Sequence, residues 1–441
     1  MKKLLVVGLL ILMAFAPLFA NGANESKAKG PEEIHLEWWT WDPKFVEKNN
    51  ETIKRFEAQN PGITVTQTMV GTKEYATKLR IQATQQKLPD VMTMSSGTLE
   101  EWARDGLLYN LDEFVKNDDT FDKFYKSIFD VAKDISGTDS YYAIPFALVT
   151  TVLYYNKAMF DAAGVAYPTE DWTWDDFLSA AKKLTIDKDG DGKIDQWGYW
   201  GWGRYTNIES WIYANNGNLV DRTKMRFAPD ANAMEALRFT SDLVLKHKVA
   251  PKAKDMSALK YSEVFPNELA AMWIDGSWFV NNLRTSTEGK FDFGMTKVPS
   301  GPHGTNAVTY AWPDNYAISA NTKHPEAAWK FARFIAGEGI NLDVYMAGKI
   351  PSCKALATDP KYADPEQKPG KEAMEMLIEQ ASGEMKTSYT MGWNEWRGYG
   401  GSEALGLSGM YDSIINGDIS FDDGMAKVTE NINKVLARYY K

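Results

Sequence analysis

The chain has 441 residues, with 49 Lys and Arg against 59 Asp and Glu, a formal charge of −10. An acidic chain without a basic cluster excludes nucleic acid and anionic membrane surfaces as partners, and 44% hydrophobic with 24% charged residues excludes a largely disordered chain. At about 100 to 200 residues per domain the length predicts two or three domains, and the 16 Trp, 21 Tyr and 20 Phe are an unusual aromatic load.

The chain opens MKKLLVVGLLILMAFAPLFA, where Lys2 and Lys3 precede an apolar run and the small Ala20 offers a cleavage point. This reads as a signal peptide over residues 1–20 and a polar, flexible linker over 21–33, and so as a periplasmic protein. Cys353 is the only cysteine, which rules out an intramolecular disulfide and an acylated cysteine at the cleavage point. IHLEWW alternates as a strand, KNNETIKRFEAQ places Ile53 and Phe56 at helical spacing, NPG stops that helix, and ITVTQTMV alternates again. A second helix, KEYATKLRIQATQQK, leads to the short strand VMTM. This β-α-β order predicts a parallel, twisted α/β sheet, with ligands gathering beyond the carboxyl ends of its strands, where TWDP and the turn Ser95, Ser96, Gly97 fall. Further on, TTVLYY, KFDFGMTKV and YAISA read as strands. NKAMFDAAG, TWDDFLSAAKKLT and HPEAAWKFARFIAGEG read as helices, the second capped by Thr173 or Asp175.

Five blocks stand in a recognisable order: YYAIPFALVTTVLYYNKAMFDAAGV with TWDDFLSAAKKLT, then ELAAMWIDGSW, FGMTKVPSGPHG, YAISANTKHPEAAWKFARFIAG and GKIPS. From about residue 34 onward the sequence resembles the family 1 extracellular solute-binding proteins of ABC importers, the carbohydrate group that includes maltose-binding protein. The resemblance implies a two-lobed type II binding-protein fold. Lobe 1 takes residues 34–148 plus 304–350 and lobe 2 takes 149–303 plus 351–441, with hinge crossings near Ala147 to Thr150, Pro299 to Gly304 and Gly348 to Ser352. It also implies a monomer that captures its solute between the lobes and delivers it to membrane permease subunits, without a required cofactor.

The tryptophans divide by context. Trp102 and Trp329 lie on apolar helical faces and read as core. Trp39 and Trp41, Trp200 and Trp202, Trp278, Trp312, and Trp393 and Trp396 cluster in polar, Gly-rich segments read as loops, whereas alternation turns Trp38 into the sheet. A sugar offers an apolar C–H face to an indole and a rim of hydroxyls to paired donors and acceptors. WIDGSW, AWPDN and WNEWR supply both kinds of group, through Asp275, Asp314, Glu395 and Arg397 beside their indoles. The resemblance places all three at the cleft and gives Trp278 a stacking role. In place of the charged groups that maltose-binding protein offers after its first strand, TWDP carries only Asp42, so malto-oligosaccharide is not implied as the ligand.

DKDGDGKIDQWG carries calcium-loop spacing, with Asp187, Asp189, Asp191 and Asp195 as ligands, Gly192 at the turn and the Lys193 carbonyl at the seventh position. The twelfth position is Gly198 rather than Glu, so a structural Ca²⁺ and a bare Asp/Gly turn both remain open. A glycoside hydrolase would need paired carboxylates, for which Glu395 with Asp275 or Asp314 are available, but the chain lacks eight repeated βα units, HExxH and GxSxG. A polyamine ligand would use the same carboxylates and aromatics. An anionic ester would need more cations than Arg204, Arg284 and Arg397.

Overall fold

The computed structural model describes residues 33–441 except 202, 306–307, 338, 340–347 and 399–405. The expected signal peptide, nearly all of the linker, and Trp202 lie outside the described residues.

The principal sheet runs in the order Ile63–Met69, Ile34–Thr40, Val91–Met94, Val308–Ile318, Ile144–Asn156, Ala270–Gly276, Trp197–Trp200. The first three strands are parallel, as the β-α-β order requires. The sheet as a whole is mixed, because Val308–Ile318 enters antiparallel to Val91–Met94 on one side and to Ile144–Asn156 on the other. Two expectations change here. TTVLYY is only the second half of the buried strand Ile144–Asn156, whose start, IPFALV, lacks alternation because both of its faces are covered. AWPDN, read as a loop, lies within the strand Val308–Ile318. Pro313 is accommodated there opposite Leu148, beside a register shift between Asp314 and Asn315.

The two long strands change partners along their length. Residues Ile144 to Thr150 pair with Val308–Ile318, while Thr151 to Asn156 pair with Ala270–Gly276 and Phe293–Thr296. Val308 to Tyr310 add the short strand Glu384–Lys386, and Ala147 with Leu148 add Ile350–Pro351.

Strand alternation sorts side chains onto the two faces of this sheet. Trp38 and Val91 join one apolar cluster; Trp39, Met92 and Met94 join the other. Trp38 meets Tyr316 and Phe331 edge-on at 5.9 and 5.5 Å. Trp329, on the helix Pro325–Ala336, stacks on Phe114 at 5.3 Å, and Trp102 is buried, so both read correctly as core. The helix Trp174–Leu184 starts at Thr173 with a capping box to Asp176, which satisfies two of its first-turn N–H groups.

Candidate functional site

Four separate segments bring their aromatic side chains to one place. Trp312 comes from the middle of the strand Val308–Ile318, and Trp278 from the turn Ser277–Phe279 that follows Ala270–Gly276. Tyr205 begins the helix Tyr205–Ala214, and Trp393 begins the short helix Trp393–Arg397. Trp312 lies 5.7 Å from Trp278 and 5.6 Å from Tyr205, and Tyr205 meets Trp393 edge-on at 5.5 Å. Tyr310 and Tyr389 extend the group, 4.8 Å from Trp312 and 4.6 Å from Trp393. Trp278 and Tyr205 keep part of their surface exposed, while Trp312 and Trp393 are mostly covered. Gly276 permits this turn, since a Cβ there would overlap the Trp278 ring.

The turn Ser95, Ser96, Gly97 borders the group from the neighbouring strand Val91–Met94. Ser95 caps the helix Ser96–Arg104 by accepting the Gly97 N–H, and the buried Ser96 hydroxyl donates to the Pro313 carbonyl at 2.6 Å. A Cβ on Gly97 would stand 3.1 Å from the Trp393 ring, so this helix start abuts the indole.

The charges around the aromatic group come as pairs. Arg204 Nε lies 3.1 Å from the wholly buried Asp275 carboxylate, with its guanidinium 5.4 Å above the Tyr205 ring and 5.1 Å above Tyr261. Lys349 lies 2.7 Å from Asp314. Arg397 Nε donates to Glu209 at 2.7 Å, and both are buried. Burial pushes the Asp275 carboxyl above its ordinary value, against the pull of Arg204 and the Gly276 N–H. Burial likewise raises the Tyr310 and Tyr389 hydroxyls well above theirs, so both remain neutral donors.

Among the expected site residues, Trp278, Trp312 and Trp393 meet, with Ser95 and Ser96 beside them and Asp314 on the same strand. Trp41 stands at the end of the first strand with its ring edge-on to Tyr75 at 5.3 Å. Others lie behind the group or away from it. Trp39 is turned by alternation into the core, where its Nε1 donates to Glu37 at 2.6 Å. Trp200, the last residue of its strand, is 0% exposed and donates to the Tyr261 carbonyl. Trp396 and Arg397 back the group from its inner side because WNEWR is a helix rather than a loop: Trp396 meets Trp393 edge-on at 6.5 Å and donates to Thr390, and Arg397, 5.9 Å from the centre of the Tyr205 ring, pairs with Glu209. Glu395, on the outer side of that helix, pairs with Arg438 at 2.5 Å. Asp275 acts on Arg204 from beneath. Tyr205, Tyr310 and Tyr389 are functional candidates that the indole pattern does not mark; their signal is GRY directly after WGW and the tyrosines of VTYAW and TSYT.

The carboxylates of Asp187, Asp189 and Asp195 have oxygens within 4.8 Å of one another. Asp191 turns away to Lys193 at 3.2 Å. The N–H of Gly192, with that of Gly190, donates to Asp187 and holds its carboxyl below the ordinary value. Two open grooves, about 600 Å³ beside Phe293–Thr296 and about 490 Å³ beside Val131 to Asp139, lie elsewhere and carry no indole.

Comparison with known proteins gives this arrangement a lineage. The chain is 24% identical over 356 residues to the multiple sugar-binding protein of Streptococcus mutans, covering 76% of this chain and 79% of that one. It is 25% identical over 390 residues to the galactooligosaccharide-binding protein of Bacillus subtilis, covering 82% and 83%. In structure it is similar to the sugar-binding protein MalE of Xanthomonas citri, with TM-score 0.76 at 19% identity over 92% of this chain and 98% of that one. A substrate-binding protein of Listeria monocytogenes in complex with cycloalternan gives TM-score 0.74 at 24% identity, covering 93% and 100%. These likenesses show an α/β periplasmic-binding-protein fold. The model of the bacterial extracellular solute-binding proteins matches residues 33–341, a stretch that contains Trp278, Trp312 and Tyr205, and the chain belongs to that family.

Proposed function

We propose that the chain is the substrate-binding component of an ABC sugar importer, holding a neutral sugar or oligosaccharide against Trp278, Trp312, Trp393 and Tyr205 and passing it unchanged to permease subunits. The reading divides the chain into lobe 1, residues 34–148 plus 304–350, and lobe 2, residues 149–303 plus 351–441, with Ile144–Asn156 running between them at the first crossing and the periplasm as its workplace. One observation carries the ligand class: the indoles converge on Tyr205 in a setting where Asp275, Asp314 and Glu209 each already face a cation. Aromatic faces with balanced charge suit an uncharged, hydroxyl-rimmed ligand. A polyamine would need carboxylates without such partners. Relatives named for sugars support the same choice.

A thermal-shift panel of maltotriose, a galactooligosaccharide, tagatose and spermidine tests it. A sugar should raise the melting temperature through preferential binding to the folded state, and chromatography should recover that sugar intact. Stabilisation by spermidine alone would overturn the ligand class, and a new sugar product would overturn the binding-only mechanism.

We also infer that Asp187, Asp189 and Asp195 hold a structural Ca²⁺, supported by their convergence and by the backbone donors that keep Asp187 ionised. Asp191, paired with Lys193, is outside this ligand set, and the Lys193 carbonyl keeps the role its spacing gives it. EDTA should lower the melting temperature and calcium restore it. An unchanged melting curve together with no metal by elemental analysis would leave a bare turn.

A further inference from the structure

Arg204 and Tyr205 reach the aromatic group directly after Gly203, at the start of the helix Tyr205–Ala214. Besides the Arg204–Asp275 pair, Gly203 is anchored to the helix Leu407–Asn416. The Gly203 N–H donates to the Asp412 carboxylate at 2.7 Å, joining positions 209 residues apart in sequence. A Cβ on Gly203 would lie 2.2 Å from the Ser408 carbonyl and 2.8 Å from Asp412, so the loop is seated directly on the helix. Ser408 also accepts from Arg397 Nη1 at 3.1 Å, and the Arg397 guanidinium lies 5.9 Å from the centre of the Tyr205 ring. Asp412, Ser408 and Arg397 thus form a floor beneath the loop and its tyrosine.

We propose that Asp412 is a positioning residue for ligand capture: through the Gly203 N–H it fixes the loop that sets Arg204 and Tyr205. The proposal rests on the sugar-site reading above and adds to it a residue outside the ligand's reach. A charge-assisted bond from a backbone amide is shorter and stronger than a neutral one, so the ionised carboxylate is the form that holds the loop.

The groups facing Asp412 are the Gly203 amide, Arg397 from Trp393–Arg397 with its own partner Glu209 behind it, and Tyr411 on its own helix. Burial pushes the Asp412 carboxyl up to about 6, while the Gly203 amide and Arg397 pull it down. The folded-state value is raised above the unfolded one, so this group favours folding at low pH, and that contribution is lost as pH rises through about 6. Loop fixation runs the other way, strengthening as the carboxylate ionises. The opposite signs separate positioning from mere stability.

The test uses the intact chain labelled with ¹⁵N. The Gly203 amide signal should titrate with a midpoint near 6 in the native protein and lose that titration in Asp412→Asn. Asp412→Ala should speed hydrogen exchange in the segment around residues 201–208 by about tenfold, and should weaken the panel sugar that gave the largest thermal shift about tenfold at neutral pH. Asp412→Asn, which keeps an acceptor, should recover part of that affinity and show no fall as pH drops through 6. A Gly203 amide that ignores pH, or an Asp412→Ala protein with native exchange and affinity, overturns the proposal. Trp278→Ala serves as control: if it weakens binding while Asp412→Ala does not, only the positioning claim fails. If neither weakens binding, the sugar-site reading fails, and the amide titration still decides what Asp412 does.

Discussion

Trp200 and Tyr205 are close neighbours in sequence and stand on opposite sides of a functional divide. Trp200 ends a buried strand, has no exposed surface, and sits beside Tyr261 at 5.5 Å with its Nε1 satisfied by a main-chain carbonyl. Tyr205 follows the glycine-bearing loop, keeps part of its surface open, and touches Trp312, Trp393 and Tyr310 from two other segments. The aromatic type does not decide the role. What decides it is whether the chain is still in the sheet, where neighbours on both faces close over a ring, or has passed beyond it, where rings from distant segments share one open face.

Breaking the buried side of this comparison should have the largest effect. Trp200→Ala should cost about 3 to 5 kcal/mol of stability as a large-to-small core change, read by denaturant unfolding, while the molecules that stay folded bind sugar normally. Trp278→Ala should do the reverse. Truncating a central aromatic anchor costs about 2 kcal/mol or more of binding, roughly thirtyfold in affinity, and because this indole is half-exposed the melting temperature should move little. Calorimetry and a melting curve on both variants check the crossing of effects; Trp200→Ala that loses affinity without losing stability would erase the distinction. The smallest change is expected from Trp41→Ala, whose partly buried ring leans on Tyr75: an edge-on aromatic contact contributes about 1 kcal/mol, and denaturant unfolding should show a loss of about that size.

Much of this was legible in advance for identifiable reasons. The parallel opening strands followed from two alternating runs separated by one helical period, and Trp38 and Trp39 were bound to part company because successive strand residues face opposite ways. Trp278 could be singled out because the block WIDGSW carries the family resemblance, which implies a stacking role for its second indole. AWPDN was opaque because Pro313 reads as a break, whereas the observed strand tolerates it beside a register shift that only the paired Leu148 reveals. WNEWR was opaque for another reason: a five-residue helix between glycines leaves too short a period to read, so the inward turn of Trp396 and Arg397 could not be seen. The ion pairs that balance the site's charge join residues as distant as Glu209 and Arg397, 188 residues apart, and no local pattern announces them.

The place of Val308–Ile318 in the sheet bears on how the molecule assembles. It fills the gap between Val91–Met94 and Ile144–Asn156, although Asn315 comes 219 residues after the Ser96 it contacts. Until that strand has been made and has arrived, the two older strands present bare edges to each other across an empty slot, and such edges invite pairing with the wrong chain. Closing a loop of this length precedes any reward from the contacts it allows, so the sheet's completion is a late, slow event dominated by non-local pairing. A nascent chain halted before residue 308 would hold two half-sheets with sticky margins, the kind of species that aggregates or is held by chaperones.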